Sequence, residues 1–158
     1  MPDLPAAVLL DDPARGPAAA ASVAERLDRM ADEIERGYVD HMLGITIAKD
    51  AGAGYVWPAR AGDGSGLDGV PMGMVFRLRD DVDLSGYSEH AQAVLRALQV
   101  HGAVVYDSRS PGEQGISLAA MSNGWAGTAY LDMQRELSTV PVQWFEAVDV
   151  SQLAADPT

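Results

Sequence analysis

The sequence predicts an α+β domain: a mixed sheet of about five to six strands with two main helices, preceded by an N-terminal arm. Two observations carry this prediction. Apolar residues recur at helical spacing in two separate stretches, the first of which opens with a capping box. Short runs of alternating or β-branched residues lie between and after them. With 158 residues, the chain fits one domain at residues 22–150, an Ala/Pro-rich arm at 1–21 and a polar tail at 151–158.

The predicted arm is rich in alanine and carries Pro2, Pro5, Pro13 and Pro17, which break helices and favour an extended backbone. Within it, residues 8–10 form a short apolar run between acidic residues. A proline-rich arm is rarely ordered unless something holds it. We therefore expect the arm to bind a protein partner, which would make the chain part of an oligomer or a larger assembly.

The first predicted helix begins at Ser22, where Ser22 and Glu25 form the capping box. It ends at Gly37, a residue type that suits the left-handed position after a helix. Its outer face alternates acidic and basic residues, Glu33 among them, and this pattern is typical of a solvated face. The stripe that should face the core consists of Val23, Leu27, Met30, Ile34 and Tyr38.

The other elements are predicted in this order: strands at residues 41–48, 55–57 and 74–78, a helix from Ser88 to Gly102, strands at 103–107 and 115–119, a helix at 128–137 and a strand at 142–148. Turns are predicted at residues 50–54, 61–69 and 122–125. The helix from Ser88 joins two strands, and this order fits either a parallel crossover or an antiparallel return.

Composition and charge exclude several classes of function. The chain contains no cysteine, so disulfides, cysteine-zinc sites and thiol catalysis are ruled out. Its net charge is −12, and binding to nucleic acid or to an anionic membrane requires a positive surface instead. No stretch approaches the ~20 apolar residues of a membrane span. The N-terminus lacks the basic region of a signal peptide, so we expect the protein in the cytoplasm or in a virion.

The candidate catalytic residues are His41, at the start of a predicted strand, and Asp107, at the end of another. A histidine at such a place acts as a general base or a metal ligand, or it only hydrogen-bonds to a neighbour. His90 and His101 lie too far apart on one predicted helix to bind one ion. The chain has no metal-ligand spacing, and its Gly62–Gly66 loop lacks the register of a calcium or phosphate loop, so we expect no cofactor.

Aromatic side chains provide a second kind of candidate site. Tyr55, Trp57 and Trp125 could form a platform for a sugar ring or for a partner's side chains, or could pack in the core or at its rim. Arg60 and Arg77 are the cations nearest to them in sequence, and either could bind a carboxylate. The predicted ligand-binding residues are therefore Tyr55, Trp57, Arg60, Arg77 and Trp125.

Several short motifs each occur once, in this order along the chain: Asp40-His41-Met42-Leu43, Trp57-Pro58-Ala59, Pro71-Met72-Gly73, Phe76-Arg77-Leu78, Ala97-Leu98, His101-Gly102 through Asp107, and Phe145-Glu146-Ala147-Val148-Asp149. In this set the chain resembles the C-terminal half of a group of secreted actinobacterial proteins of unassigned activity. The resemblance covers about three quarters of the chain. It departs from the family at Val75, where the family has arginine, and in the half-chain that precedes this region in the family.

This resemblance implies the fold more than any catalysis, because the chain would keep at most half of a site built from both halves. We therefore favour a non-catalytic structural or binding module of a larger assembly, with an actinobacteriophage virion as the setting. The alternative is a polysaccharide-acting enzyme or a glycan-binding module that uses His41, Asp107 and Trp57.

Overall fold

The structure is a computed structural model, and it describes residues 30–47, 51–62, 69–108, 116–118 and 128–150. The predicted arm, the capping box at Ser22, Trp125 and the polar tail lie outside these residues. The described part confirms the α+β class. A five-stranded mixed sheet has the strand order β6-β1-β5-β4-β7, and a separate two-stranded sheet consists of β2 and β3.

The first helix, α1, is helical at residues 30–35 within the described part. The elements that follow are β1 (Leu43–Ile47), β2 (Ala51–Tyr55), β3 (Val70–Met72), β4 (Val75–Leu78), α2 (Glu89–Val100), β5 (Ala103–Ser108), β6 (Ile116–Leu118), α3 (Thr128–Leu137) and β7 (Phe145–Val148). A single 3-10 turn at Val142–Trp144 precedes β7, so the predicted strand at 142–148 is confirmed only in its second half.

Strand directions settle the question that the sequence left open. The β4-α2-β5 unit is an antiparallel return, because β4 and β5 are antiparallel neighbours. Within the five-stranded sheet the parallel pair is formed by β1 and β5, while β6 and β7 close the two edges in antiparallel orientation. The central strand β5 therefore lies between β1 and β4.

The small sheet differs most from the sequence prediction. The predicted turn at 50–54 and strand at 55–57 are wrong in place, since β2 spans Ala51–Tyr55 and its partner β3 spans Val70–Met72. Alanine and glycine have little preference for strands, and Pro71 lies inside β3, so neither segment shows a strand pattern. Their parallel pairing, not their local sequence, makes them strands.

The main core lies between one face of the five-stranded sheet and the helices. Apolar residues of all three helices and of the central strands are buried there, namely Met30, Ile34, Leu43, Ile45, Leu78, Val94, Leu95, Leu98, Val105, Tyr130 and Met133. A smaller cluster of Val75, Val104 and Val150 lies on the other face. Because strand residues alternate between faces, Phe76 and Leu78 contribute to the main core while Val75 points the other way.

The end of α1 and the start of α2 show the predicted stop and start signals. Gly37 has a φ of +84°, and the N–H of Tyr38 donates to the carbonyl of Glu33, which closes α1. The Ser88 side chain accepts a hydrogen bond from the N–H of Ala91 and caps α2. The same Ser88 hydroxyl donates to Glu136 at 2.6 Å, which joins α2 to α3. Among the described helices, none is long and apolar enough to cross a membrane.

Candidate functional site

His41 contacts oxygen atoms with both of its ring nitrogens. Nδ1 lies 2.9 Å from the carbonyl oxygen of Met42, and Nε2 lies 3.1 Å from Oε2 of Glu33. Glu33 is only 4% exposed, so its predicted place on a solvated face is wrong. The reason is the reversal at Gly37, because the chain that follows it returns His41 to the surface of α1.

The geometry of this Glu33–His41 pair is incomplete. Although Nε2 is within ion-pair distance, Glu33 Oε2 has no hydrogen-bond partner of good geometry among the described residues. A neutral imidazole carries one N–H and can donate to only one of the two oxygens that face it. Hydrogen bonds between the ring and both oxygens therefore require one more proton, either on the imidazole or on the Glu33 carboxyl group. The contacts tie His41 to the fold rather than to an open cleft.

His41 and Asp107 do not come together. Asp107 is paired with Thr46 in the parallel β1–β5 ladder, and His41 precedes Thr46 by five residues. At ~3.3 Å per residue, the two backbones are therefore separated by about 16 Å along the sheet. The predicted acid–base pair accordingly lies at opposite ends of β1 and β5.

Tyr55 and Trp57 do lie together, at the surface. With Val56 they form three consecutive exposed residues, which we call the 55–57 strip, at 56%, 40% and 43% exposure. Backbone hydrogen bonds fix the strip: the N–H of Val56 donates to Met72 O at 2.8 Å, and the N–H of Ala59 donates to Val56 O at 2.9 Å. Because β3 continues into β4 beside β5, the strip lies toward the Asp107 end of the sheet and not the His41 end.

The two predicted arginines have different places. Arg60 is exposed and follows the 55–57 strip in the same loop. Arg77 lies on β4, where its guanidinium donates to Glu146 Oε1 of β7 at 2.6 Å and 3.2 Å. This cross-strand pair is exposed and contributes less than about 1 kcal/mol to stability. Arg77 therefore binds an internal carboxylate on another strand, and Trp125, the remaining predicted aromatic, lies outside the described residues.

A carboxylate that the sequence did not single out joins α1, α2 and α3. The Tyr130 hydroxyl donates to Glu35 Oε1 at 2.8 Å, and His90 Nε2 lies 3.6 Å from Glu35 Oε2. The His90 and Tyr130 rings stack with their centroids 5.8 Å apart. Burial, followed by the hydrogen bond to Glu35, raises the pKa of Tyr130 above its usual 10.0. The three side chains come from three helices, so local sequence patterns give no sign of their contact.

Because the pKa of Tyr130 is raised in the folded state, the free energy of unfolding should decrease at alkaline pH. The unfolded chain loses the Tyr130 proton near pH 10 while the folded chain still holds it, so stability falls as pH rises from 10 through the folded pKa. Tyr106, whose pKa is raised by burial and by Asp107, adds to the fall. We expect the loss of stability between pH 9 and pH 10.5, measured by urea unfolding at each pH, to be smaller in Tyr130→Phe than in the wild type. If the free energy of unfolding of Tyr130→Phe fell with pH as steeply as that of the wild type, Tyr130 would not be the source of the loss.

A groove of about 260 Å³ lies between α2 and the segment that links α1 to β1; we call it the α2 groove. Its floor contains Ala93 and Ala97, which are buried. Its rims carry Tyr38 and Val100, which are 54% and 61% exposed. The complete lining is Gly37, Tyr38, Val39, Asp40, Ala93, Arg96, Ala97, Val100 and His101.

The described residues contain no group of three His, Asp or Glu side chains that could hold a metal ion. Comparisons with family models, with curated proteins and with solved structures gave no significant match. The resemblance to secreted actinobacterial proteins therefore stays a prediction.

Proposed function

We propose that the chain is a non-catalytic binding module of a larger assembly, and that the 55–57 strip is its contact surface. The observation that carries the proposal is the exposure of three large apolar side chains in succession. Scattered exposed apolar residues are ordinary on protein surfaces, and an interaction site is favoured where several of them are neighbours along the chain. Tyrosine and tryptophan are also the residues most enriched where proteins bind one another.

The strip is also held in place before any partner binds. Two backbone hydrogen bonds fix Val56 and Ala59, and the N–H of Gly73 donates to Val105 O of the central strand at 2.7 Å. The segment is thereby attached to the core sheet. A surface that is already ordered loses less conformational entropy on binding, which favours affinity.

The separation of His41 from Asp107 supports a non-catalytic role over the polysaccharide-acting enzyme. A general acid and base must both reach the reacting bond, and backbones about 16 Å apart along a sheet do not place two short side chains at one atom. The Glu33 contact gives His41 a structural role that requires no substrate.

We propose an actinobacteriophage virion as the setting of this assembly. Lys49 is the single lysine, against ten arginines, a bias typical of GC-rich coding sequences. The resemblance to actinobacterial proteins supports the same source. An arm with an apolar run, as the sequence predicts, suits a protein that joins others in a particle.

A glycan-binding module is the second candidate, and a specific observation favours it. Tyr55 and Trp57 are both exposed on the same short segment, and the exposed Arg60 follows them. Aromatic faces stack on sugar rings, and a nearby guanidinium can hydrogen-bond to hydroxyl or carboxylate groups. The glycan-binding candidate uses the same 55–57 strip, so it differs from the protein-binding candidate in its partner and not in its surface.

The test replaces Tyr55 and Trp57 together by alanine in a tagged chain produced during phage infection of an actinobacterial host. We expect the wild-type chain to be present in purified particles and the double variant to be at least tenfold depleted, because the apolar contact is lost. Leu131→Ala, an exposed apolar change on α3, is the matched control and should remain incorporated.

Two results would contradict the assembly proposal: absence of the wild-type chain from particles, or equal incorporation of the double variant. Binding of the purified chain to immobilised oligosaccharides, lost in Trp57→Ala, would favour the glycan candidate instead. Unfolding in urea should show that the variants stay folded, since replacing exposed side chains typically changes stability by about 0.5 kcal/mol.

A further inference from the structure

We propose that the α2 groove binds the apolar, acidic segment at residues 8–12 of a second copy of this chain. The inference deepens the proposed assembly role, on which it rests, by naming a partner and a second surface. The groove and the 55–57 strip share no residue.

The shape of the groove suits side chains of a protein segment. Two alanines on one face of α2 form a floor with no long side chain to fill the space above it. Tyr38 and Val100 stand on opposite rims with more than half of their surface exposed. The volume of about 260 Å³ is below the range of ~300–1,000 Å³ that whole organic ligands occupy. An aliphatic side chain entering from a partner would cover both rims.

The charges around the groove favour an acidic occupant. Arg96 and His101 line it, and the Arg36 guanidinium lies 5.7 Å from the ring centroid of Tyr38. Within the part of the chain that the structure describes, neither of these two arginines has a carboxylate at ion-pair distance, although the net charge is −12. Two such guanidinium groups beside the groove attract an anionic partner.

The end of α2 sets the direction in which the occupant lies. The C-terminal end of α2 carries partial negative charge on its last carbonyls, which disfavours a carboxylate near His101. The acidic end of the occupant is therefore expected near Arg96, with its apolar residues over Ala93 and Ala97.

Residues 8–12 have this combination in five positions: Val8, Leu9 and Leu10 are followed directly by Asp11 and Asp12. The chain between Asp12 and residue 30 is long enough to span the described turns of α1, so both a chain's own groove and that of a second copy are within reach of the segment. The proposed assembly role favours the second copy. Docking of one segment into the next copy is a common way in which identical chains form closed or extended assemblies.

The test measures self-association of the full chain by sedimentation velocity between about 5 and 500 μM. We expect concentration-dependent oligomers of the wild type. Arg96→Asp and Val100→Asp should each weaken the association by about tenfold or more, because each places a carboxylate against the acidic segment. Arg135→Asp, an equal change of charge on α3, is the matched control and should associate like the wild type.

A charge exchange identifies the occupant. Asp11→Arg/Asp12→Arg should also weaken self-association, and a mixture of this variant with Arg96→Asp should associate again, since one copy's segment then complements the other copy's groove. A monomer at every concentration would overturn the proposal, including the case in which the segment binds its own groove. So would an oligomer that Arg96→Asp and Val100→Asp leave intact.

These results are separable from the fate of the proposed function. The 55–57 strip variants are measured by incorporation into particles, and the groove variants by association of the purified chain. Equal incorporation of the strip variant, together with wild-type self-association that the groove variants weaken, would remove the strip proposal alone. Far-UV circular dichroism of each groove variant checks that it is folded, and both substituted side chains are exposed in the wild type.

Discussion

Gly73→Ala is expected to lower the free energy of unfolding by about 3–5 kcal/mol, a large part of the ~5–15 kcal/mol that stabilises a typical domain. Gly73 has a φ of +85°, which costs a residue with a Cβ about 1–2 kcal/mol. The added Cβ would also overlap the carbonyl oxygen of Val56 and lie 2.8 Å from the backbone nitrogen of Ala59. Both are main-chain atoms, so no side-chain rotation relieves the clash.

Gly37→Ala is the matched control for this substitution. Its φ of +84° is nearly the same, but an added Cβ would have no heavy atom within 4 Å. We expect a loss of about 1–2 kcal/mol there, from backbone strain alone. Urea unfolding of both variants measures the difference. Equal losses in the two variants would show that the close approach of Val56 to Gly73 contributes nothing.

The Gly73 contact connects stability to the proposed binding surface. Gly73 contacts the main chain of Val56 and Ala59, in the loop that carries the 55–57 strip. Its N–H donates a hydrogen bond to the carbonyl oxygen of Val105 on the central strand. A clash at Gly73 therefore separates the strip from the central strand before it unfolds the core. Hydrogen exchange should show faster exchange of the Val56 and Ala59 amides in Gly73→Ala than in Gly37→Ala.

The elements with strong local signals were predictable from the sequence. The helix after Ser88 has an apolar stripe at helical spacing and a serine cap, and the structure places α2 at Glu89–Val100. The alternation in residues 43–47 likewise gave β1, whose buried residues are Leu43, Ile45 and Ile47. In such segments the period of the apolar residues, and for α2 the serine cap, indicates the element before its tertiary contacts are known.

The candidate site could not be predicted in the same way, because it depends on contacts distant in sequence. Glu33 has the pattern of a solvated residue, and only the return of the chain after Gly37 buries it. The distance between His41 and Asp107 follows from the register of β1 against β5, which no local pattern contains. Exposure of Tyr55 and Trp57 likewise follows from the pairing of β2 with β3.

His41→Ala is expected to destabilise the fold by about 2–4 kcal/mol, because it removes the ring nitrogen that lies 3.1 Å from the buried Glu33 carboxyl group. The value lies below the largest seen for buried pairs, since His41 is partly exposed and water can reach its place. His101→Ala, a change at a half-buried histidine with no carboxylate at ion-pair distance in the described structure, is the control and should cost less than about 1 kcal/mol.

A double-mutant cycle shows whether the loss comes from the Glu33–His41 pair. Removing both partners, as Glu33→Leu/His41→Ala, leaves no buried charge, so the double variant should be more stable than His41→Ala alone. Urea unfolding at pH 6.5 gives all four stabilities. If the two single losses simply add, the pair is not coupled and His41 is free for another role. A coupling of 1 kcal/mol or more, on the order seen for contacting residues, would instead account for His41 by folding alone, with no catalytic function required.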